Sequence, residues 1–158
     1  MIVSAALAGL LHACAPAVGP VTMGAVVAYE SGGRAYAIGD NTARRSYFPS
    51  RRDVAERLAR SLLAAGHSID VGYAQINSAN FARYGLDASS ALAPCTNLSA
   101  GARLLREDYA GAARRYGRGQ VALVHALSAY NTGGYWAGLG YARGVYAAAS
   151  GLRYERAR

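Results

Sequence analysis

Apolar positions recur at helical spacing through most of this chain. Leu7, Leu10, Leu11 and Cys14 fall at i, i+3, i+4 and i+7, which predicts a first helix over about residues 2 to 13. A second helix, over 21 to 31, starts at Pro20-Val21-Thr22, carries Met23, Val26 and Val27 on one face, and ends at Gly32-Gly33. The stretch from Gly32 to Ser50 contains Gly, Asn and Arg without periodicity and reads as irregular. Ser50 with Asp53 three positions on has the form of a capping box, opening a third helix with Val54, Leu58 and Leu62 as its inner stripe and Gly66 as its stop. Ile69, Val71 and Tyr73 alternate with Asp70, Gly72 and Ala74, the period of a strand that continues through Gln75 and Ile76 to Asn77, and it is the one good strand in the pattern. Beyond it, Ser78 is a candidate cap for a short helix over 81 to 84 ended by Gly85. A long helix runs from near Asn97 to Tyr116, another from Gln120 to Tyr130, and a short one over 145 to 150. The expected fold is mainly α with a small β element, and internal repeats are absent.

One residue breaks the apolar pattern of the second helix. The face that carries Met23, Val26 and Val27 next reaches Glu30, so a carboxylate points toward the core side at the end of a helix. Partial burial and the negative C-terminal end of the helix dipole both favour the protonated acid, and a carboxylic acid held neutral near pH 7 suits a general acid. The competing expectation is a helix-end glutamate rotated outward into water.

Length and charge narrow the classes without choosing one. A chain of 158 residues fits a single domain, 1 to 158, able to bury roughly two-thirds of its unfolded surface. All 17 basic side chains are Arg, and the net charge is +8. The arginines are scattered, so a polyanion is an allowed partner while nucleic acid is not specified. The densest group, Arg44-Arg45 with Arg51-Arg52 around Tyr47 and Phe48, reads as a solvated loop. No stretch is long and apolar enough to span a bilayer as a helix. The apolar start reads as the first core helix, with a trimmed or atypical signal sequence as the alternative.

Cys14 and Cys95 match no metal spacing, and no metal site or cofactor is expected. If they bond, the closed loop of about 80 residues corresponds to roughly 4 to 5 kcal/mol in the chain-entropy model, and the compartment is oxidising. Two free thiols are the alternative. Leu11-His12-Ala13-Cys14 also has the outline of a lipoprotein cleavage box, in which a lipidated Cys14 would be unable to pair. His67, before the strand, is expected to hydrogen-bond in a turn, and His125, between apolar residues, to be a satisfied core group.

Polar groups gather at three element ends: Glu30-Ser31, Gln75 with Asn77, and Tyr130-Asn131. An acid and several amides at such positions suit a hydrogen-bonding substrate such as a sugar. In order and spacing, Glu30-Ser31-Gly32-Gly33, Gly72-Tyr73-Ala74-Gln75-Ile76-Asn77 and Ala129-Tyr130-Asn131-Thr132-Gly133 resemble the three motifs of lytic transglycosylases with the goose-type lysozyme fold. Cys14-Ala15-Pro16, Ile69-Asp70-Val71-Gly72 and Pro94-Cys95-Thr96-Asn97-Leu98 are similar to the subgroup attached to type IV secretion and conjugation machines.

The resemblance implies a lysozyme-like α+β domain that cleaves peptidoglycan between N-acetylmuramic acid and N-acetylglucosamine and leaves 1,6-anhydro ends. Glu30 would be the single acid and base. Ser31, Gln75, Asn77, Tyr130, Asn131 and Tyr141 would contact or support the substrate, and Cys14 and Cys95 would form a disulfide. The implied location is periplasmic or secreted, with secretion-system components as partners and a monomer as the default state. One departure is Tyr73-Ala74, where the family usually has Leu-Met before the glutamine. Glycosidases usually pair two carboxylates, and here the substrate's N-acetyl group would supply the help a second acid gives. Strand alternation puts Asp70, the other acid near a motif, on the face opposite Tyr73 and Gln75, where it reads as structural. The alternatives are a hydrolytic muramidase with Asp70 holding a water, and a wall-binding assembly factor in which cleavage is dispensable.

Overall fold

The computed structural model describes residues 1–155. Along them run β1 (Ile2–Val3), α1 (Ala5–Cys14), α2 (Pro20–Ser31), β2 (Ile38–Asp40), β3 (Arg45–Tyr47), α3 (Arg52–Ala64), β4 (Ile69–Val71), β5 (Ile76–Asn77), α4 (Phe81–Tyr84), α5 (Pro94–Tyr116), α6 (Gln120–Thr132), α7 (Leu139–Ser150) and β6 (Arg153–Tyr154). The fold is mainly α with a small sheet, as expected. The described residues form two compact units, one from residues 30 to 101 and one from residues 1 to 29 together with 102 to 155.

In the unit made from the chain ends, α1 buries Leu7, Leu11 and Cys14, and α2 buries Met23, Val26 and Val27, the faces that the spacing predicts. The first helix begins later than residue 2. The Ser4 Oγ accepts from the Leu7 N–H at 3.2 Å, so the helix starts at Ala5. Ile2 and Val3 pair in parallel with Arg153 and Tyr154, two short strands too brief to leave a periodic signal. Helices α6 and α7 pack on one another, burying Ala122, Ala126, Leu127, Ala142 and Val145. The last helix also exceeds its expected start at 145. It begins at Leu139, because Gly138 lets the chain turn directly against α6: a Cβ there would lie 2.7 Å from the Ser128 carbonyl oxygen.

The unit from 30 to 101 holds an antiparallel sheet in the order β3-β2-β4-β5, with α3 packed near β2 and β4. Four expectations differ from the structure in this unit. The stretch from Gly32 to Ser50 is not irregular throughout, since Ile38, Gly39 and Asp40 pair with Tyr47, Ser46 and Arg45. β3 is solvent-exposed or half-exposed along its length, so it carries no apolar alternation. The predicted strand from 69 to 77 is instead a hairpin, with Asp70 opposite Asn77 and Val71 opposite Ile76. Gly72 and Gln75 reverse the chain with φ of +80° and +46°.

The third correction concerns α3. Its cap is Arg51 rather than Ser50, and no side chain closes it. Asp53 instead pairs with Arg51 and Arg57, each at 3.0 Å. Ala55 and Ala59 are its fully buried residues, while Val54 is 40% exposed and Leu58 and Leu62 are half-buried. The helix is turned toward its small residues, which bring it close to the sheet. Similarly, Asn77 caps the 3-10 turn that leads into α4, and the Ser78 hydroxyl accepts from the Ile69 N–H at 3.1 Å.

Candidate active site

Glu30 stands on the last turn of α2, half-buried, as its helical phase predicts. The next residue fixes that helix end. Ser31 is 3% exposed, and its hydroxyl donates to the Tyr73 carbonyl at 2.9 Å. Gly32 and Gly33 then adopt φ of +60° and +78°, which stops the helix. The turn that holds the Tyr73 carbonyl is itself over-determined. The Gln75 amide donates to the Gly72 carbonyl at 2.8 Å and to the Ala37 carbonyl at 3.2 Å. These two bonds use both amide hydrogens of Gln75, so what this side chain has left for a ligand is its Oε1. Burial, together with nearby Tyr36, raises the Tyr73 phenol above its usual value, so it stays a neutral donor or acceptor through ordinary pH.

Asp70 does not lie on the face opposite Gln75. Asp70 lies opposite Gly39 on β2 and opposite Asn77 on β5, and a Cβ on Gly39 would lie 3.3 Å from Gln75 Oε1 and 3.9 Å from Asp70 Oδ2. Asp70, Gln75 and Asn77 therefore share one face. The turn at Gly72 breaks the period of two on which the opposite placement depends. Both carboxylate oxygens of Asp70 are engaged, Oδ2 by the Asn41 amide and Oδ1 by the Asn77 amide, each at 2.8 Å. Asn77 thus holds Asp70 with its nitrogen and caps the following 3-10 turn with its oxygen.

Tyr130, Asn131 and Tyr141 belong to the other unit. Asn131 is exposed on the last turn of α6, where Gly133 at φ +73° ends the helix. Buried Ser128 shapes this end, donating to the Gly134 carbonyl at 2.6 Å and accepting from the Gly138 N–H at 2.8 Å. Tyr141 is buried and stacks on Tyr130 with ring centres 6.4 Å apart, and it forms a T-shaped pair with Tyr29, ring centres 5.0 Å apart. The packing of Tyr29, which directly precedes Glu30, on Tyr141 was not legible in the sequence. The one clue is Gly144, because a Cβ there would overlap the Tyr29 ring.

Other expectations settle simply. The His67 Nδ1 and Asp40 Oδ2 are 2.8 Å apart. The Ala43 N–H and His67 lower the buried Asp40 carboxyl below its ordinary value. His125 is buried with its Nδ1 2.7 Å from the Tyr135 carbonyl and its ring stacked on Tyr116 at 4.0 Å, a satisfied core group. Arg51 and Arg52 are exposed and ion-paired with Asp53 and Glu56, while Arg45 lies on β3 rather than in a loop. Cys14 and Cys95 are both disulfide-bonded, which excludes free thiols and a lipidated Cys14. Among the described residues no helix is long and apolar enough to cross a membrane.

With a half-buried glutamate at a helix end, its neighbour tied to a glutamine-braced turn, and a Tyr-Asn helix end after them, the chain belongs to the family of the Transglycosylase SLT domain, whose profile matches residues 11–137. The match runs through both compact units. Among individual proteins, the protein virB1 of Rhizobium radiobacter is 42% identical over 141 residues, which are 88% of this chain and 59% of that protein. The type IV secretion system protein virB1 of Brucella abortus biovar 1 is 39% identical over 130 residues, 82% of this chain and 55% of that protein. The chain thus spans less than two-thirds of the length of these relatives. No solved structure matches it.

Proposed function

We propose that the protein is a peptidoglycan lytic transglycosylase with Glu30 as its only acid and base. The observation that carries this reading is the half-buried Glu30 on a helix end fixed through Ser31 to the Tyr73 carbonyl. In the reaction, the Glu30 carboxyl protonates the glycosidic oxygen between N-acetylmuramic acid and N-acetylglucosamine as the C1–O bond breaks, assisted by the N-acetyl group. The resulting carboxylate then takes the proton from the C6 hydroxyl of the same muramic residue, whose oxygen closes on C1. The acid is regenerated, water is not consumed, and a 1,6-anhydro end is left.

Ser31 and Gln75 act by positioning, Asn77 by holding Asp70 and the β4–β5 hairpin, and Asn131 by hydrogen-bonding an acetamido or hydroxyl group of the glycan. Tyr130 and Tyr141 support that contact with their stacked rings. The relatives named for a type IV secretion system favour a role in opening the wall locally for such an apparatus, in the periplasm or outside the cell, with its components as partners. The disulfide agrees with an oxidising compartment.

A second reading, a hydrolytic muramidase, draws support from Asp70 sharing the face of Gln75 and Asn77. It is the weaker one, because the two amides on Asp70 already occupy both carboxylate oxygens. Asp70→Asn separates them. A transglycosylase still forms the anhydro product in this variant, whereas a hydrolase that uses Asp70 to activate water loses its reducing-end product.

A further inference from the structure

The β4–β5 turn sits where the acid's support begins, yet its backbone is unfavourable on its own. Gly72 and Gln75 both have positive φ, and Gln75 carries a side chain in that region. Such a conformation persists only where surrounding groups over-determine it. Gln75 supplies part of that support through Ala37 and Gly72. The Gly72 N–H adds a bond to the Ala37 carbonyl at 2.8 Å, and a further part comes from Asn97 on the first turn of α5.

Asn97 is 0% exposed, and its amide is spent on backbone alone. Its Oδ1 accepts from the Ala74 N–H at 2.8 Å, and its Nδ2 donates to the Val71 and Ala91 carbonyls at 2.8 Å each. Val71 and Ala74 bracket Gly72-Tyr73, and Tyr73 offers the carbonyl that takes the Ser31 hydroxyl. Gly72 packs so closely on the Asn97 amide that a Cβ would overlap it. The third bond, to Ala91, anchors the same amide to the 3-10 turn at Ser90–Leu92. Only a planar group that both donates and accepts can make this set, which excludes Asp, Leu and Ser as equivalents.

We propose that Asn97 is a positioning residue of the reaction. It holds the Gly72–Gln75 turn so that the Tyr73 carbonyl fixes Ser31, and thereby the side chain of Glu30 beside it. The inference rests on Glu30 being the acid. It assigns Asn97 to the rate of the chemical step rather than to substrate affinity, because Asn97 is buried and its amide bonds go to the turn and to Ala91.

The test uses the disulfide-bonded chain, soluble uncrosslinked glycan strands as substrate, and the rate of anhydro-end formation as readout. Parent, Glu30→Gln, Ser31→Ala, Asn97→Ser and the Ser31→Ala/Asn97→Ser double variant are compared at a temperature where circular dichroism shows each to be folded. The expected result is a fall in kcat of tenfold or more for Asn97→Ser with KM within threefold, and a double variant no slower than the slower single one, because both changes cut the same chain of contacts. A folded Asn97→Ser with parental kcat overturns the proposal, as does a double variant whose losses multiply. If Asn97→Ser does not fold, Ser31→Ala decides alone: parental kcat there overturns the proposal, since the proposed chain of contacts runs through Ser31, and a tenfold loss supports it. An inactive parent, or activity unchanged in Glu30→Gln, fails the acid assignment itself and is read separately.

Discussion

Glu30 illustrates what a single position reveals. Its place in the helical period announced a carboxylate on the core side, and it is half-buried there. What the period could not show is how the acid is held, because that depends on a hydroxyl meeting a carbonyl 42 positions away. Tyr29 and Asn97 were missed for the same reason: an exposed tyrosine before the acid and an asparagine at a helix start look ordinary until tertiary contacts form. Two predictions belong at this scale. Tyr141→Ala, which empties a buried ring site, should lower stability by about 3 kcal/mol or more in urea unfolding. Asp40 gives a pH signature. The Ala43 N–H and then His67 lower its pKa in the folded protein, so its stabilising contribution is present above the ordinary carboxylate value and lost as pH falls through the lowered one. The stability gap between parent and Asp40→Asn should therefore shrink as pH falls below about 4.

Elements with a wide apolar face were legible, and those without one were not. α1, α2, α5 and α6 follow their hydrophobic spacing closely. The β2–β3 hairpin was hidden because β3 is polar and exposed, and the β4–β5 hairpin because its strands, of three and two residues, are too short to show the change of phase at the turn. The error about Asp70 followed directly from that turn. α3 was seen but rotated, since alanines rather than the larger Val54, Leu58 and Leu62 fill its buried face. The start of α7 depended on the backbone approach at Gly138, which no periodicity encodes. Gly138→Ala should cost about 1 to 3 kcal/mol by overpacking against Ser128, measured by urea denaturation, and should disturb the α6 end that carries Asn131. Unchanged stability would mean that this approach is not tight.

At the scale of the whole molecule, composition excluded little, and the order of three short motifs decided the family. The two cysteines left a disulfide, free thiols and a lipid anchor all open, and the structure resolves them as disulfide-bonded. Replacing both with Ser should lower stability by at most about 4 to 5 kcal/mol in reversible urea unfolding, the chain-entropy figure for a loop of about 80 residues. The central claim is that Glu30 alone performs acid and base chemistry on a glycan and uses no water. Mass spectrometry of the muropeptides released from purified sacculi by the parent and by Glu30→Gln tests it most directly. Anhydro-muramic ends from the parent, absent with the variant, are the predicted result. Reducing ends from the parent, or release that survives Glu30→Gln, would contradict the account.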